Sequence, residues 1–334
     1  MSEIERILDV RHLKTDFFLE NGPVTAVNDV SFHVNKGETF GLIGESGSGK
    51  SVTLRSILRL LRKPGKVVGG QIIYKERDLC RLSEQEMRGI RGREIGMIFQ
   101  EPMTTLNPVQ TIGSQIMESF KKSMTKEEKE KRAVELMQLV GIPSAEERLR
   151  SYAHQFSGGM RQRAMIAIAL ASEPSLLLAD EPTTALDVTI QDQIIRLLRK
   201  LQRDLGMSMI LVTHDLGVAS EICDRIAVMY GGRIMEQAPA EEIFTHPKHP
   251  YTYDLMRSVP SMERKGSELY SIEGTPPSLD NMPAGCPFAP RCELADDRCR
   301  EDAPELTSVN GEEEHIARCW HIDRLIEQAK YLKV

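Results

Sequence analysis

The chain has 334 residues, 40% of them hydrophobic, which is enough for a substantial core and, by length, for two domains. Its formal charge of −6 argues against a general nucleic-acid binder, which needs concentrated Lys and Arg to neutralise phosphates. The N-terminal stretch carries Glu3, Glu5, Arg6 and Asp9 without an apolar core, unlike a secretory signal, and the clearest apolar run, residues 164–171, is far shorter than the roughly 20 residues that span a bilayer. A cytosolic chain that meets a membrane only through partners is expected.

In chain order, residues 39–44 read as a buried strand, and Gly44-Glu45-Ser46-Gly47-Ser48-Gly49-Lys50-Ser51 follows at a strand-to-helix junction, with the helix expected to begin near Lys50. The spacing is that of a phosphate-binding loop. Its glycines let backbone N–H groups curl around phosphates, the helix start adds a positive dipole, Lys50 reaches the outer phosphates and Ser51 offers an oxygen to Mg2+. A chance glycine-rich turn is the competing explanation, which the flanking strand and helix disfavour.

Residues 126–140 have charges in front and apolar residues at helical spacing, with Gly141 and Pro143 as a stop, so they predict a helix. Residues 175–180 form an apolar strand that ends in Asp180 and Glu181, where buried β-structure otherwise avoids charge. Asp180 suits a magnesium ligand, and Glu181 a base for an attacking water. An acidic pair that merely caps the next helix is the bland alternative. Residues 207–213 read as another central strand, and residues 226–230 and 233–237 flank Gly231-Gly232 as a hairpin. The alternation of strands and amphipathic helices predicts an α/β domain on a largely parallel sheet over residues 1–240.

Beyond this point the composition changes: ten of the seventeen prolines lie at or after Pro239, and helical periodicity fades until residues 322–332. Residues 241–334 are read as an irregular, Cys-rich extension. Cys80 and Cys223 stand alone and read as small apolar residues, whereas Cys286, Cys292, Cys299 and Cys319 cluster in it. Clustering in a chain expected to be cytosolic points to metal. Five, six and nineteen residues separate these cysteines, wider than the paired spacing usual for structural zinc. A [4Fe-4S] cluster is the preferred reading. Zn2+, with His315 as a substitute ligand, disulfides and free thiols are the alternatives.

Phe156-Ser157-Gly158-Gly159-Met160 resembles the signature of the ATP-binding-cassette (ABC) family, usually Leu-Ser-Gly-Gly-Gln, with Phe156 and Met160 as departures. The resemblance implies a P-loop (RecA-like) core with an antiparallel β subdomain and a helical insert at about 101–160. It places Gln100 in the glutamine loop, Asp187 in the loop after the second carboxylate and His214 at the switch position. Phe17 matches the aromatic that stacks on adenine, with Phe18 its competitor. It further implies Val52 at the nucleotide, Gln100 with Ser51 and Asp180 around Mg2+, and catalysis by Glu181, His214 and Gln100. Two cassettes would close head to tail, so that Ser157, Gly158 and Gly159 of one meet the ATP of the other.

The segments 240–252 and 286–292 resemble the extension of cassettes from dipeptide, oligopeptide and nickel importers. This implies a transport-coupled ATPase, peripheral on the cytoplasmic face. Its partners would be a second cassette, expected to be a different chain, two transmembrane permeases and, indirectly, an extracytoplasmic peptide-binding protein. An importer of nickel or another small solute, a soluble ABC-type ATPase acting on DNA or ribosomes, and a non-catalytic regulatory cassette are the other readings. The last would tolerate loss of Glu181 or His214, and both are present.

Overall fold

A computed structural model describes residues 5–121, 123–258, 270–309 and 311–329. Its strands in chain order are β1 (Arg6–Leu19), β2 (Gly22–Asn35), β3 (Thr39–Ile43), β4 (Gly65–Tyr74), β5 (Arg77–Asp78), β6 (Ile95–Ile98), β7 (Leu176–Asp180), β8 (Ser208–Thr213), β9 (Arg225–Tyr230), β10 (Arg233–Pro239), β11 (Thr307–Val309) and β12 (Glu312–Ala317). The chain divides into two compact units that interleave along the sequence. One holds the segment ending at Ile7, Val34–Thr39 and Arg81–Val212; the other holds Leu8–His33, Phe40–Cys80 and the chain from Thr213 onward.

In the first unit β6, β7 and β8 run parallel, with Ile98 opposite Ala179 and Asp180 opposite Val212. Every residue of β7 and β8 is buried, as expected for parallel strands covered on both faces. The helix Lys126–Leu139 begins on a capping box in which Thr125 and Glu128 satisfy each other's backbone N–H groups, and it packs on the helix Gly158–Leu170. The helix Val188–Leu205 buries Ile194, Ile195, Leu198 and Leu201, one stripe at a spacing of three to four residues. Its start is capped by Asp187, whose carboxylate accepts from the Ile190 N–H at 3.0 Å.

In the second unit β2, β1, β4 and β5 lie in that order, with β1 and β5 each antiparallel to β4. Another group of strands joins β3 parallel to β9, β9 antiparallel to β10, and β10 antiparallel to β12, which also carries β11. The β9–β10 turn, Gly231-Gly232, has φ of 54° and 78°, a pair that glycine adopts without strain. The expected helix near the C-terminus is present as Ile322–Ala329, and residues 330–334 lie outside the described residues.

The C-terminal region is more regular than its composition suggests. It supplies β11, β12 and the helix Pro250–Arg257, and β12 continues the sheet that begins before residue 240, with Gln237 opposite Ile316. Glu236 on β10 explains the attachment. Its carboxylate is fully buried and accepts from the Lys248 N–H at 2.6 Å, the His249 N–H at 2.9 Å and His315 Nε2 at 2.7 Å. A buried carboxylate held by three donors ties three distant segments together.

His249 is also buried, and its Nδ1 accepts from the Tyr251 N–H at 3.0 Å. Burial lowers its pKa from 6.5 to about 3. Between these values the unfolded chain binds a proton that the folded chain refuses, so stability rises with pH and is lost as pH falls below 6.5. Lowering the pH from 7 to 5 is therefore expected to remove about 2 kcal/mol through this group. Calorimetric melting of wild type beside His249→Asn, whose side-chain oxygen can take the same N–H, checks it: the variant should show the shallower pH dependence.

Candidate nucleotide site and cysteine pocket

The phosphate-binding loop lies in the second unit, between β3 and the helix Lys50–Ile57. Two of its glycines are sterically required. Gly44 has φ of 144°, and a Cβ there would come within 2.1 Å of the Met229 carbonyl oxygen; Gly49 has φ of 100°, and its Cβ would meet the Ala26 carbonyl at 2.6 Å. Gly49 starts the helix in the left-handed region and offers no side chain to cap it. A helix start built this way suits an anion, because phosphate oxygens can accept from its first-turn N–H groups.

Lys50 is buried, and its Nζ donates to the carbonyl oxygens of Gly44 at 2.7 Å and Glu45 at 2.8 Å and to Ser48 Oγ at 3.3 Å. The ammonium is thus already inside the curl of the loop. Ser51 and Val52 are half-buried in the first helical turn, while Ser46 and Gly47 are exposed at the loop's crest. Phe17, on β1, is half-buried opposite Gly65, and a Cβ on that glycine would press within 2.8 Å of the Phe17 ring. Phe18 is 49% exposed with Lys66 Nζ over its ring at 5.8 Å. His214 is exposed in the turn after β8, ahead of a helix capped by Asp215.

The first unit gathers the acidic residues at the carboxyl end of β7. Asp180 is fully buried. Glu181 has φ of 47°, an uncommon conformation for a non-glycine residue, and its N–H donates to the Val212 carbonyl at 3.0 Å. One Glu181 carboxylate oxygen accepts from Gln100 Nε2 at 3.0 Å and from Thr184 Oγ1 at 2.9 Å. Parallel pairing of β6 with β7 brings Gln100 there, two residues beyond Ile98. The family resemblance places Thr184 at the start of the loop that carries Asp187; its hydroxyl contact with Glu181, three residues back in the same turn, is added by the structure.

Ser157 caps the helix Gly158–Leu170, its Oγ accepting from the Met160 N–H at 3.4 Å. Gly159 is pressed against Ile190, since a Cβ there would lie 2.8 Å from Ile190 Cγ2. The signature-like turn therefore rests on the start of the helix that Asp187 caps. Within this unit Gln100 and Glu181 touch, and Gly158 and Gly159 face Leu186 and Ile190, which flank Asp187 in sequence.

Cys286, Cys292, Cys299 and Cys319 all line one cavity in the C-terminal region, together with Phe288, Leu294, Pro304, Trp320, His249 and His321. The Cys286 N–H donates to the Cys299 carbonyl at 2.8 Å. Burial first, and then the neighbouring thiols, push Cys292 and Cys319 up to about 12. His315 is not among the lining residues. It belongs to Glu236, which corrects its expected role as a substitute ligand; His321, by contrast, is among the residues that line the cavity. Ligand atoms of His321, Cys299 and Asp296 lie within 4.8 Å of one another, with His321 Nε2 2.9 Å from the Asp296 carboxylate.

Strand, glycine-rich turn, buried lysine and helix define a P-loop nucleotide hydrolase. Residues 27–184 match the family described as ABC transporter, and residues 235–299 match the region described as oligopeptide/dipeptide transporter, C-terminal region. The dipeptide transport ATP-binding protein DppD of Bacillus subtilis (strain 168) is 50% identical over 329 residues, which cover 98% of each chain. The oligopeptide transport ATP-binding protein OppD of the same organism is 49% identical, covering 96% of this chain and 90% of its own. Among solved structures, the dimeric post-hydrolysis state of the ATP-binding cassette MJ0796 bound to ADP and Pi aligns with a TM-score of 0.63 at 29% identity, covering 70% of this chain and 98% of that one. CbiO1 from Clostridium perfringens, part of the ABC transporter complex cbiONQ, aligns with a TM-score of 0.63 at 26% identity, covering 72% and 92%. The chain belongs to the ATP-binding subunits of the ABC transporter family, in the branch that carries the oligopeptide/dipeptide transporter C-terminal region, and it is an ATPase.

Proposed function

We propose that this chain hydrolyses ATP to power the uptake of di- or oligopeptides through an ABC importer, working as a peripheral subunit on the cytoplasmic face of the membrane. The observation that carries the reading is the joining of a phosphate-binding cassette to the peptide-transporter C-terminal region in one chain that matches peptide-import relatives over nearly its whole length. Among the described residues no helix is long and apolar enough to cross a membrane. Transport would then require two permease subunits, with a peptide-binding protein outside the membrane delivering cargo to them.

In this reading the backbone of Gly44, Ser46, Gly47, Ser48 and Gly49 surrounds the phosphates, and Lys50 leaves the loop carbonyls for the phosphate oxygens. Val52 lines the nucleotide, and Phe17 stacks on adenine. Ser51, Asp180 and Gln100 hold Mg2+; a hydroxyl, a carboxylate and an amide are the hard oxygen donors this ion prefers, and the ion supplies charge neutralisation along the triphosphate. Glu181 takes a proton from water as the water oxygen attacks the γ-phosphorus in line. The bond to the ADP oxygen breaks, and ADP and phosphate leave. His214 orients that water, and Gln100 links Mg2+ to Glu181. Ser157, Gly158, Gly159 and Asp187 serve the ATP of a second cassette, which we take to be a related but different chain. Residues 1–240 form the catalytic domain, and the insert at about 101–160 faces the permeases. Residues 241–334 are the peptide-transporter extension.

The cysteine pocket fits a [4Fe-4S] cluster, since four thiols around one apolar cavity are the donor set such a cluster requires. Cys286, Cys292, Cys299 and Cys319 would hold it, and its chemistry there would be to cross-link the loops of a segment with a small core. Zn2+ is the competing metal.

Reconstitution of the complete transporter in liposomes tests the function. ATP turnover should rise when di- or oligopeptide and its binding protein are supplied on the outside. Stimulation by Ni2+ alone moves the reading to a nickel importer, and turnover that responds to no solute but to DNA or ribosomes moves it to a soluble ATPase.

A further inference from the structure

Glu45 stands out in the phosphate-binding loop because a carboxylate is an awkward neighbour for a triphosphate. Each of its polar groups is held. Its N–H donates to Tyr251 Oη at 2.9 Å, its carbonyl accepts from Lys50 Nζ at 2.8 Å, and its two carboxylate oxygens accept from Arg291 Nη1 at 2.7 Å and Nη2 at 3.2 Å. Tyr251 and Arg291 come from the C-terminal region, more than two hundred residues away in sequence.

Arg291 is built into place. Its side chain is 4% exposed, and beyond the fork to Glu45 its Nε donates to the Glu273 carbonyl at 2.9 Å, Nη2 to the Ile272 carbonyl at 3.3 Å and Nη1 to Tyr230 Oη at 3.3 Å. A planar fork satisfied on every edge fixes direction as well as charge, which a lysine cannot do. Tyr251 is fully buried, with its ring 4.7 Å from Tyr230 and 5.3 Å from Phe288, and Phe288 is also a wall of the cysteine cavity. The loop and the cysteine pocket therefore share one aromatic wall, and Arg291 immediately precedes Cys292.

We propose that Arg291, together with Tyr251, is a positioning residue of the ATP site: it neutralises Glu45 and anchors the phosphate-binding loop, so that the C-terminal region is a working part of nucleotide binding. The inference rests on the ATP-binding reading above. When ATP arrives, Lys50 gives up the Glu45 carbonyl for phosphate oxygens, and the arginine and tyrosine keep the loop in place. Without Arg291 the Glu45 carboxylate faces incoming phosphates uncompensated.

The test measures Mg-ATP affinity of the full-length chain by calorimetry for wild type, R291M, E45Q and E45Q/R291M. R291M is expected to bind ATP about tenfold more weakly, and the double variant to regain at least about fivefold, because the stranded carboxylate is gone. A merely structural role for Arg291 predicts no such rescue. R291M binding as tightly as wild type, or a double variant no tighter than R291M, overturns the proposal. Where R291M does not fold, the comparison of R291Q with E45Q/R291Q, which also removes the charge, decides the same question, with absence of rescue again overturning it. A wild-type chain that binds no ATP counts against the ATP-binding reading, which separates the two failures.

Discussion

Glu181→Gln is expected to bind ATP with near wild-type affinity while turnover in the assembled transporter falls by about 100- to 10,000-fold, the range for loss of a positioned base. The geometry makes this substitution informative. Glutamine keeps the size of the side chain and one oxygen able to accept from Gln100 and Thr184, which lie 3.0 and 2.9 Å from the same carboxylate oxygen. The negative charge and the proton affinity are removed while size is kept, so the unusual backbone at φ 47° is expected to persist. Single-turnover hydrolysis of radiolabelled ATP, with contaminating ATPases excluded by a Lys50→Ala control, reads the result. Wild-type hydrolysis by the glutamine variant removes Glu181 as the base and leaves His214 as the next candidate.

The second large effect is expected at Cys292. Purified without oxygen, the chain should be brown, with broad visible absorption and about four iron and four sulfide per chain, and Cys292→Ser should lose the colour and most of the iron. Its melting temperature should drop by roughly 5 °C or more, because metal binding supplies folding free energy to a region with a small core. In the metal-free pocket Cys292 and Cys319 are pushed up to about 12, so their thiols are protonated at neutral pH. Loading must expel those protons and should weaken as pH falls. A colourless, iron-free protein with one zinc per chain replaces the cluster by zinc. A protein with neither metal ends the metal reading altogether.

The cysteine and arginine tests meet in one place. Phe288 both lines the cysteine cavity and packs on the tyrosines beside Glu45, so the cavity and the phosphate-binding loop share an aromatic neighbour. Measuring ATP affinity of the Cys292→Ser chain alongside the Arg291 variants places the two effects on one scale.

Much of the candidate site's local geometry was legible in the sequence because its signals are local. Gly44, Gly49 and Lys50 announce a strand–turn–helix by spacing alone, and the structure adds the steric reason, carbonyl oxygens at 2.1 and 2.6 Å from where side chains would stand. Ser157 and Asp187 cap helices three residues ahead of the N–H groups they accept from, a contact any short window contains. The apolar runs that became β3, β7 and β8 declare burial on both faces in the same way.

Pairings across long stretches of chain were decided only by the tertiary structure. Glu236 reads as an ordinary polar residue of a hairpin until β10 takes β12 as a neighbour and the carboxylate is closed in by Lys248, His249 and His315. Glu45 and Arg291 each look like solvated charges, and nothing local says that 246 positions apart they form one bidentate pair. The same holds for the cysteines, whose spacing suggested a metal but whose shared cavity depends on how the loops fold back. Chain geometry within a turn is written in neighbouring residues, whereas which charges and thiols meet is settled by packing of the whole core, where the cost of burying a charge selects its partner.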